Sequence, residues 1–544
     1  MTARPPDAYR RLHDSFRWQV PARFNIGAAM TDTHAAATPN VVALWAEQAD
    51  GNLRGYTYEE LRLWSNRVAN ALAGLGLRRG DTVGVLLGQS VQTAVVHTAI
   101  SKAGMIALPL FTAFGEEAIA YRLEHAEARA LFTSREWLPK ALGAEARAPD
   151  FGPIVTVDGA AEGLPNIDDL TARASDRFTA VDTAADDPAF IIYTSGTTGQ
   201  PKGALHAHRS LIGHEPGIRF LHPGIGPSNI LWSPQDWAWI AGLVNVLMSG
   251  LHLGIPILAL HQRKFDPEKT WDALERHRIT RPIVPPPALR LMRDLPVPQG
   301  GWPHRIRTFA TGGETIDAAL HDWARGAFGT PLHEVFGQTE CNLVLATNSH
   351  VMDVRPGQVG RPVPGHRVAL LDDDNRQLPW GSTGRLAIRG GDPVMLLRYW
   401  KNPDATAAKY ADGWLLTGDI AATSADGHFR FVGRDDEVIK TSGYRVGPSE
   451  IEDCLGKHPA VRLAAVIGVP DPQRGQAIKA FVTLREGHTG SDALAAELQD
   501  FVRRNLAVHL FPRAVEFLDA LPTTITGKVR RKDLRDREAA KAGA

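Results

Sequence analysis

The run Tyr193-Thr-Ser-Gly-Thr-Thr-Gly-Gln-Pro-Lys-Gly203 concentrates groups that can hold an anion. Ser195, Thr197 and Thr198 bring hydroxyls. Gly196 and Gly199 let the backbone come close to a ligand, and Lys202 adds a point charge. Successive backbone amides in such a loop form an anion cradle. The Gly-Lys-Ser/Thr spacing of a Walker A loop is missing, and by composition alone a surface turn fits the run as well. Asp419 follows the turn Thr417-Gly418. A carboxylate there can accept two adjacent hydroxyls, whereas a buried unpaired Asp would be costly; a turn-capping role is the plainer alternative. Phe336, next to Gly337, either offers an aromatic surface to a ligand or packs in the core. Lys528 stands in a Gly-flanked loop beside Arg530, Arg531 and Lys532, a setting that by itself reads as solvated surface.

These residues need a scaffold. Apolar runs at Val83–Leu87 and Ile106–Leu110 flank a helical pattern at Val91–Ala103, which predicts a parallel strand–helix–strand unit. Phe190–Tyr193 reads as a strand feeding the glycine-rich loop, and Arg305–Ala310 as a strand ending at Gly312-Gly313. From about Val359, short strands among Gly and Pro turns (Val368–Leu371, Gly384–Arg389) predict a β-rich subdomain. After the charged segment Gly433-Arg-Asp-Asp-Glu437 the pattern becomes a small α+β unit. Its helices are expected at Glu450–His458 and Ala493–Leu506, its strands at Ala464–Val469 and Ala480–Leu484. The fold class is therefore α/β: a large body of several subdomains over residues 1–434, its β-rich part at about 359–434, and a small α+β domain at 435–544. Glu538–Ala544 reads as a frayed tail.

Composition bounds the function. The 544 residues carry 60 Lys plus Arg against 60 Asp plus Glu, so a strongly basic nucleic-acid binder is not expected. With 44% hydrophobic residues, a disordered acidic chain is excluded. Cys341 and Cys454 form no Cys-x-x-Cys unit, which excludes a zinc ribbon or disulfide scaffold. Trp237–Gln262 has no charged residue, but its Gly, Asn and Pro content predicts a buried helix to about Leu253, a break at Gly254-Ile-Pro256 and a strand at Ile257–Leu260, not a membrane span. The first twenty residues have no signal-peptide core, and Asp7 and Asp14 count against a transit peptide, so a cytoplasmic location is expected. His206, His208 and His214 read as structural or solvated.

The loop Thr194–Gly203 resembles the phosphate loop of the adenylate-forming superfamily, which includes acyl-CoA synthetases, luciferases and peptide-synthetase adenylation domains. Four further signatures follow in that family's order. They are Val335-Phe-Gly-Gln-Thr-Glu340, Gly413-Trp-Leu-Leu-Thr-Gly-Asp419, Gly433-Arg434 with Ser442-Gly-Tyr-Arg-Val-Gly-Pro-Ser-Glu-Ile-Glu452, and Pro522-Thr-Thr-Ile-Thr-Gly-Lys528. The Ser442–Glu450 run and Pro470-Asp-Pro-Gln-Arg-Gly475 are most similar to medium-chain acyl-CoA synthetases. The resemblance implies an ATP-dependent ligase with Mg2+ as cofactor and coenzyme A as co-substrate. A carboxylic acid attacks the α-phosphate of ATP to give acyl-adenylate and pyrophosphate, and the CoA thiol then displaces AMP. It places Thr194–Gly199 and Lys202 at the phosphates, Gly313, Glu314, Phe336, Gly337 and Gln338 around the adenine, and Asp419 and Arg434 on the ribose. Thr339 and Glu340 fall at the α-phosphate and the magnesium ion, a hard cation that takes oxygen ligands.

Lys528 matches the family's catalytic lysine. The chemistry explains it: a carboxylate must approach a negatively charged phosphate, and a positioned ammonium offsets the repulsion. The family's C-terminal domain rotates between the two half-reactions, with the hinge at Asp436 here. Ser442, Gly443 and Tyr444 would then line the pantetheine tunnel, and Arg445 and Arg474 would meet CoA phosphates; Arg445 has the adenylate phosphate as its alternative. One family feature is missing: a lysine-containing Tyr-Lys-x-Pro segment reads His509-Leu-Phe-Pro512, leaving His509 or Arg513 as substitutes. Acetate-specific relatives carry Trp where Gly337 stands, so acids longer than acetate are expected, with Trp239 (and less so Trp232 and Trp237) at the acyl pocket. The alternatives are an adenylating enzyme that loads a carrier protein, and a nucleotide-binding protein without chemistry. A homodimer, and a lysine acetyltransferase and deacetylase acting on Lys528, are further partners the resemblance leaves open.

Overall fold

A computed structural model describes residues 8–542 apart from 49, 149–150, 162, 195–199, 261, 299–300, 315, 436, 442–443, 473, 507–509 and 524–528. The chain parts into two compact units. The first holds Met1–Arg355, Gly360–Arg367 and Gly390–Lys409; the second holds Pro356–Val359, Val368–Arg389 and Tyr410–Ala544.

The first unit is built on three sheets. The largest has seven strands in the order Arg398–Tyr399, Lys202–Ala207, Pro188–Thr194, Ile106–Pro109, Thr82–Leu86, Ala128–Thr133, Ile154–Thr156. It is parallel from Pro188–Thr194 onward, while the Pro188–Thr194/Lys202–Ala207 and Lys202–Ala207/Arg398–Tyr399 pairs are antiparallel. The expected strand–helix–strand unit is present. Helix Val91–Lys102 starts at Ser90, whose hydroxyl accepts the Thr93 N–H. Eleven of its twelve residues are buried, so it is a core element with no polar face.

A five-stranded sheet runs Arg281–Pro282, Leu231–Trp232, Ile257–Ala259, Val42–Glu47, Leu53–Thr57. The uncharged run contributes to it as expected. Ile240–His252 is helical, with a π-helical stretch at Leu243–Met248 whose six residues are all buried. Gly254 turns the chain at φ +71°, and Ile257–Ala259 lies parallel to Val42–Glu47. Among the described residues no helix is long and apolar enough to cross a membrane. The third sheet, Phe309–Gly312, Leu332–Gln338, Cys341–Ala346 and Arg361–Pro362, carries the glutamine–threonine–glutamate motif at one hairpin.

The second unit has two sheets. Val368–Leu371, Thr383–Arg389, Trp414–Thr423, Tyr410–Ala411 and Phe429–Arg434 form one. The other joins Tyr444–Val446, Ile439–Thr441, Gly475–Leu484, Val461–Asp471 and Ala514–Phe517. Helices Pro448–Leu455 and Asp492–Asn505 cover a core that includes Ile451, Val466, Ile478, Leu498 and Val502. The end of the chain differs from the sequence reading. Arg531–Ala542 is a helix rather than a tail fraying from Glu538. Leu534 is buried beside Phe481, and Lys479 lies 2.7 Å from Glu538 and 2.8 Å from Glu516, with Lys541 2.8 Å from Glu516. Among the described residues of this helix Leu534 alone is buried and apolar, so hydrophobic patterning could not reveal it.

Candidate active site

The glycine-rich loop is set by the antiparallel pair that bounds it. Thr194 faces Lys202 in register, and the Thr194 hydroxyl donates to the Lys202 carbonyl at 3.5 Å. Ser195, Gly196, Thr197, Thr198 and Gly199 lie outside the described residues. Lys202 Nζ sits 5.6 Å from the centre of the Tyr399 ring. The Tyr399 hydroxyl donates to Glu340 Oε1 at 2.5 Å. Glu340 is buried, and its carbonyl accepts the Leu396 N–H at 2.9 Å. Cation, phenol and carboxylate thus gather in the first unit, and Tyr399 is the member sequence reasoning missed.

Gly312 has a steric reason to be glycine: a Cβ would stand 2.4 Å from the Val335 carbonyl of the neighbouring strand. Gly313 turns at φ +98°. Glu314 Oε2 accepts from Arg290 at 3.0 Å. Phe336 and Thr339 are half-buried, and Gln338 Oε1 accepts from Lys409 Nζ at 2.9 Å. Gly337 proves to be constrained by its own hairpin. A Cβ there would lie 2.4 Å from the Leu343 nitrogen, where the strand register shifts between Phe336 and Gln338. The close backbone approach gives glycine a steric reason of its own at this bulge.

The three sequence-flagged histidines are buried in the first unit. Burial pushes His206 down to about 3 and His208 and His214 to about 4, so all three are neutral near pH 7. His206 stacks on Phe190 at 4.9 Å, His208 accepts the Ile26 N–H at 3.1 Å, and His214 donates from Nδ1 to the Ser210 carbonyl at 2.6 Å.

Pro109, Phe111, Phe114, Tyr193, Ala238 and Trp239 line a small aromatic cleft. Phe111 meets Phe114 and Trp239 edge-on, with centroids 5.5 and 5.4 Å away. Trp232 and Trp237 are fully buried core residues and line no part of it. Phe111 and Phe114 were not singled out by sequence; the signal was the aromatic pair just after the Ile106–Pro109 strand.

In the second unit Asp419 is buried on the strand Trp414–Thr423. It faces Arg434 in register, and its Oδ1 accepts from Arg434 Nη1 at 3.0 Å. The preceding Gly418 sits at φ +78°, and the Thr417 hydroxyl accepts the Asp419 N–H at 3.0 Å while donating to the Leu386 carbonyl at 2.8 Å. Arg474 lies at the tip between two long strands, 3.6 Å from Asp471. Arg513 stacks on Phe511 at 3.9 Å and Arg503 stacks on the same ring at 4.3 Å. Burial, with Arg474 and Arg503 nearby, pushes the Arg513 pKa below its ordinary value. Arg503 is thus a cation the sequence did not flag. Tyr444 and Arg445 belong to the strand Tyr444–Val446, but their side chains lie outside the described residues. So do Asp436, Ser442, Gly443, His509 and Lys528.

Among the described residues no three His, Cys, Asp or Glu side chains group to hold a metal ion. Glu340 fits the oxygen chemistry Mg2+ prefers, as a single carboxylate that would share the ion with phosphate oxygens and water.

The AMP-binding enzyme family matches residues 31–400 and the AMP-binding enzyme C-terminal domain matches residues 450–528, so the chain belongs to the AMP-binding enzymes. It is 34% identical to the acetyl-coenzyme A synthetase of Bacillus subtilis (strain 168), over 94% of this chain and 90% of that protein. It is 33% identical to the mitochondrial acyl-coenzyme A synthetase ACSM4 of Mus musculus, over 96% and 92%. Among solved structures it resembles the anthranilate CoA ligase AuaEII in complex with anthranoyl-AMP. There the TM-score is 0.85 at 28% identity, covering 96% of this chain and 99% of that one. A benzoate CoA ligase from Burkholderia xenovorans LB400 gives 0.82 at 28% identity, covering 94% and 100%.

Proposed function

We propose that this enzyme joins a carboxylic acid longer than acetate to coenzyme A at the expense of ATP. It is an AMP-forming acid–thiol ligase that works through acyl-AMP. The observation that carries the assignment is the ordered set of motifs inside a full-length match to acyl-CoA synthetases. Asp419 accepts the ribose hydroxyls while Arg434 holds its carboxylate in place. Glu340, braced by Tyr399, would hold Mg2+, which when bound would supply positive charge to the triphosphate. Lys202 faces the phosphates, and Thr339 donates to the α-phosphate. The Lys528 ammonium draws the acid carboxylate and the α-phosphate together, offsetting their repulsion as the acyl–phosphate bond forms.

In the second half the CoA thiol attacks the acyl carbonyl, AMP leaves, and Lys528 takes no part. Residues 435–544 reorient about Asp436 between the halves, which brings Ser442, Gly443 and Tyr444 to the pantetheine arm. Arg445 and Arg474, with Arg503 and Arg513 in place of the family's missing lysine, meet the CoA phosphates. The acyl group occupies the cleft between Phe111, Phe114 and Trp239. Each methylene it buries contributes about 0.8 kcal/mol, so chain-length preference is graded.

The test is a panel of C2–C12 and aromatic acids with ATP, Mg2+ and CoA, reading AMP release. Acid- and CoA-dependent AMP from acids beyond acetate supports the reading; silence across the panel overturns it. A second reading, loading of a carrier protein, is favoured by the absent lysine in His509–Pro512. It predicts acyl transfer to a phosphopantetheine carrier with none to free CoA.

A further inference from the structure

The backbone on either side of the segment that carries Lys528 is paired. Thr523 and Val529 form an antiparallel bridge, and the Arg530 N–H donates to the Pro522 carbonyl at 2.8 Å. The next residue, Arg531, opens the last helix. Its place in a basic run suggests solvated surface, yet its side chain is only 16% exposed. Its guanidinium spans two nearly buried carboxylates. Nη1 donates to Glu437 Oε2 at 3.1 Å, while Nε and Nη2 donate to the two oxygens of Glu452 at 3.1 and 2.6 Å. Glu452 belongs to helix Pro448–Leu455, and its Oε1 also accepts the Val466 N–H at 2.7 Å. Glu437 directly follows Asp436 in the chain. Burial disfavours the charged guanidinium, but the two carboxylates outweigh it and hold its pKa above the ordinary value.

Three segments therefore meet at one side chain: the stretch that begins at the proposed hinge, the helix after the Ser442–Pro448 motif, and the root of the Lys528 loop. We infer that Arg531 is a positioning residue for the adenylation half-reaction, and that its clamp on Glu437 and Glu452 fixes the base from which Lys528 acts. The inference rests on the reading of Lys528 given above. Only arginine suits the place. Its planar fork bonds one carboxylate through two nitrogens and still reaches a second, which the point charge of lysine does not reproduce. Acyl-adenylate formation needs an ammonium held to within a fraction of an ångström, and small misplacements cost orders of magnitude. Thioester formation from preformed acyl-AMP does not use Lys528. Loss of the clamp therefore reads out in the first half alone, whereas a clamp that only held the fold together would lower both halves with the melting temperature.

The experiment uses the full chain with Arg531→Lys, Glu437→Gln and Lys528→Ala, singly, and Arg531→Lys combined with Lys528→Ala. Acid-dependent ATP–pyrophosphate exchange without CoA reads the first half; acyl-CoA formation from supplied acyl-AMP reads the second. Arg531→Lys is expected to slow exchange about 10- to 100-fold, and Glu437→Gln, which keeps the Arg531–Glu452 arm, about 3- to 10-fold. Both should leave the second half within about twofold, since it does not depend on the clamped loop. Arg531→Lys should add little to Lys528→Ala, because residues acting as a unit are not additive. Equal loss in both halves, or full additivity with Lys528→Ala, overturns the inference. If Arg531→Lys does not fold, Glu437→Gln decides the matter by the same split. Were Lys528→Ala itself to leave exchange intact, the reading of Lys528 would fall. Selective loss there, with unselective loss in the clamp variants, would remove only the clamp.

Discussion

The two motif carboxylates are both buried, yet they are partnered in opposite ways. In the first unit Glu340 accepts from the neutral phenol of Tyr399. In the second, Asp419 is matched to the cationic guanidinium of Arg434. A phenol brings no cation against the carboxylate it braces, which suits the magnesium role proposed for Glu340. A guanidinium offsets the charge it faces, which suits the role proposed for Asp419 toward the neutral hydroxyls of ribose. The same contrast extends outward. The first unit buries neutral imidazoles at His97, His206, His208, His214 and His333. The second ties its elements with ion clusters, Arg531 with Glu437 and Glu452, and Lys479 and Lys541 with Glu516 and Glu538.

The sharpest way to break this comparison is to remove each negative charge while keeping its shape. Glu340→Gln is expected to lower adenylation about 100-fold or more and to raise the Mg2+ concentration needed for half-maximal rate. Asp419→Asn should cost about 10-fold, expressed mainly in the KM for ATP, with the Mg2+ requirement unchanged. Titrations of rate against Mg2+ and ATP separate the two; an altered Mg2+ requirement in Asp419→Asn would erase the distinction. Tyr399→Phe should cost about 5-fold and move the Mg2+ dependence in the same sense as Glu340→Gln, since it loosens the same carboxylate.

The smallest effect lies in acid stability. Burial holds His97, His208, His214 and His333 at about 4 and His206 at about 3. The unfolded chain takes up these protons first, so the stabilisation is full above about 6.5 and drains away as the pH falls toward 4. For Glu516, burial acts upward, but the ammonium groups of Lys479 and Lys541 prevail and hold it at about 2. Its contribution is present above about 4.3 and is lost as the pH falls toward 2. Hydrogen exchange followed by peptide should show the first unit losing protection between pH 6.5 and 4, with the Lys479–Glu516–Glu538 region holding to lower pH. Simultaneous loss would contradict the contrast.

Much of the scaffold was legible because its signals are local. The Val83–Leu110 strand–helix–strand unit, the uncharged helix and strand before Leu260, and the glycine turns at Gly313 and Gly418 follow from runs of a few residues. What escaped is non-local. Tyr399 lies 59 positions from Glu340 and sits on a two-residue strand with no periodicity to read. Arg531 lies 94 positions from Glu437, so its burial within a basic run could not be seen in the run itself. The last helix is held by charges from two other strands, Gly475–Leu484 and Ala514–Phe517, and by a single buried leucine. Gly337 reads in the sequence as an opening for substrate, and only the structure adds a second reason for glycine there, a Cβ that would meet the Leu343 nitrogen at 2.4 Å.

Acid activation precedes, and is separable from, transfer to CoA. The most direct measurement is exchange of labelled pyrophosphate into ATP with purified enzyme, Mg2+ and acid, before and after adding CoA. Exchange is expected to require the acid and not CoA, followed on CoA addition by AMP and acyl-CoA in equal amounts. Exchange that is absent with every acid, or AMP formed without any acyl-CoA, would contradict it.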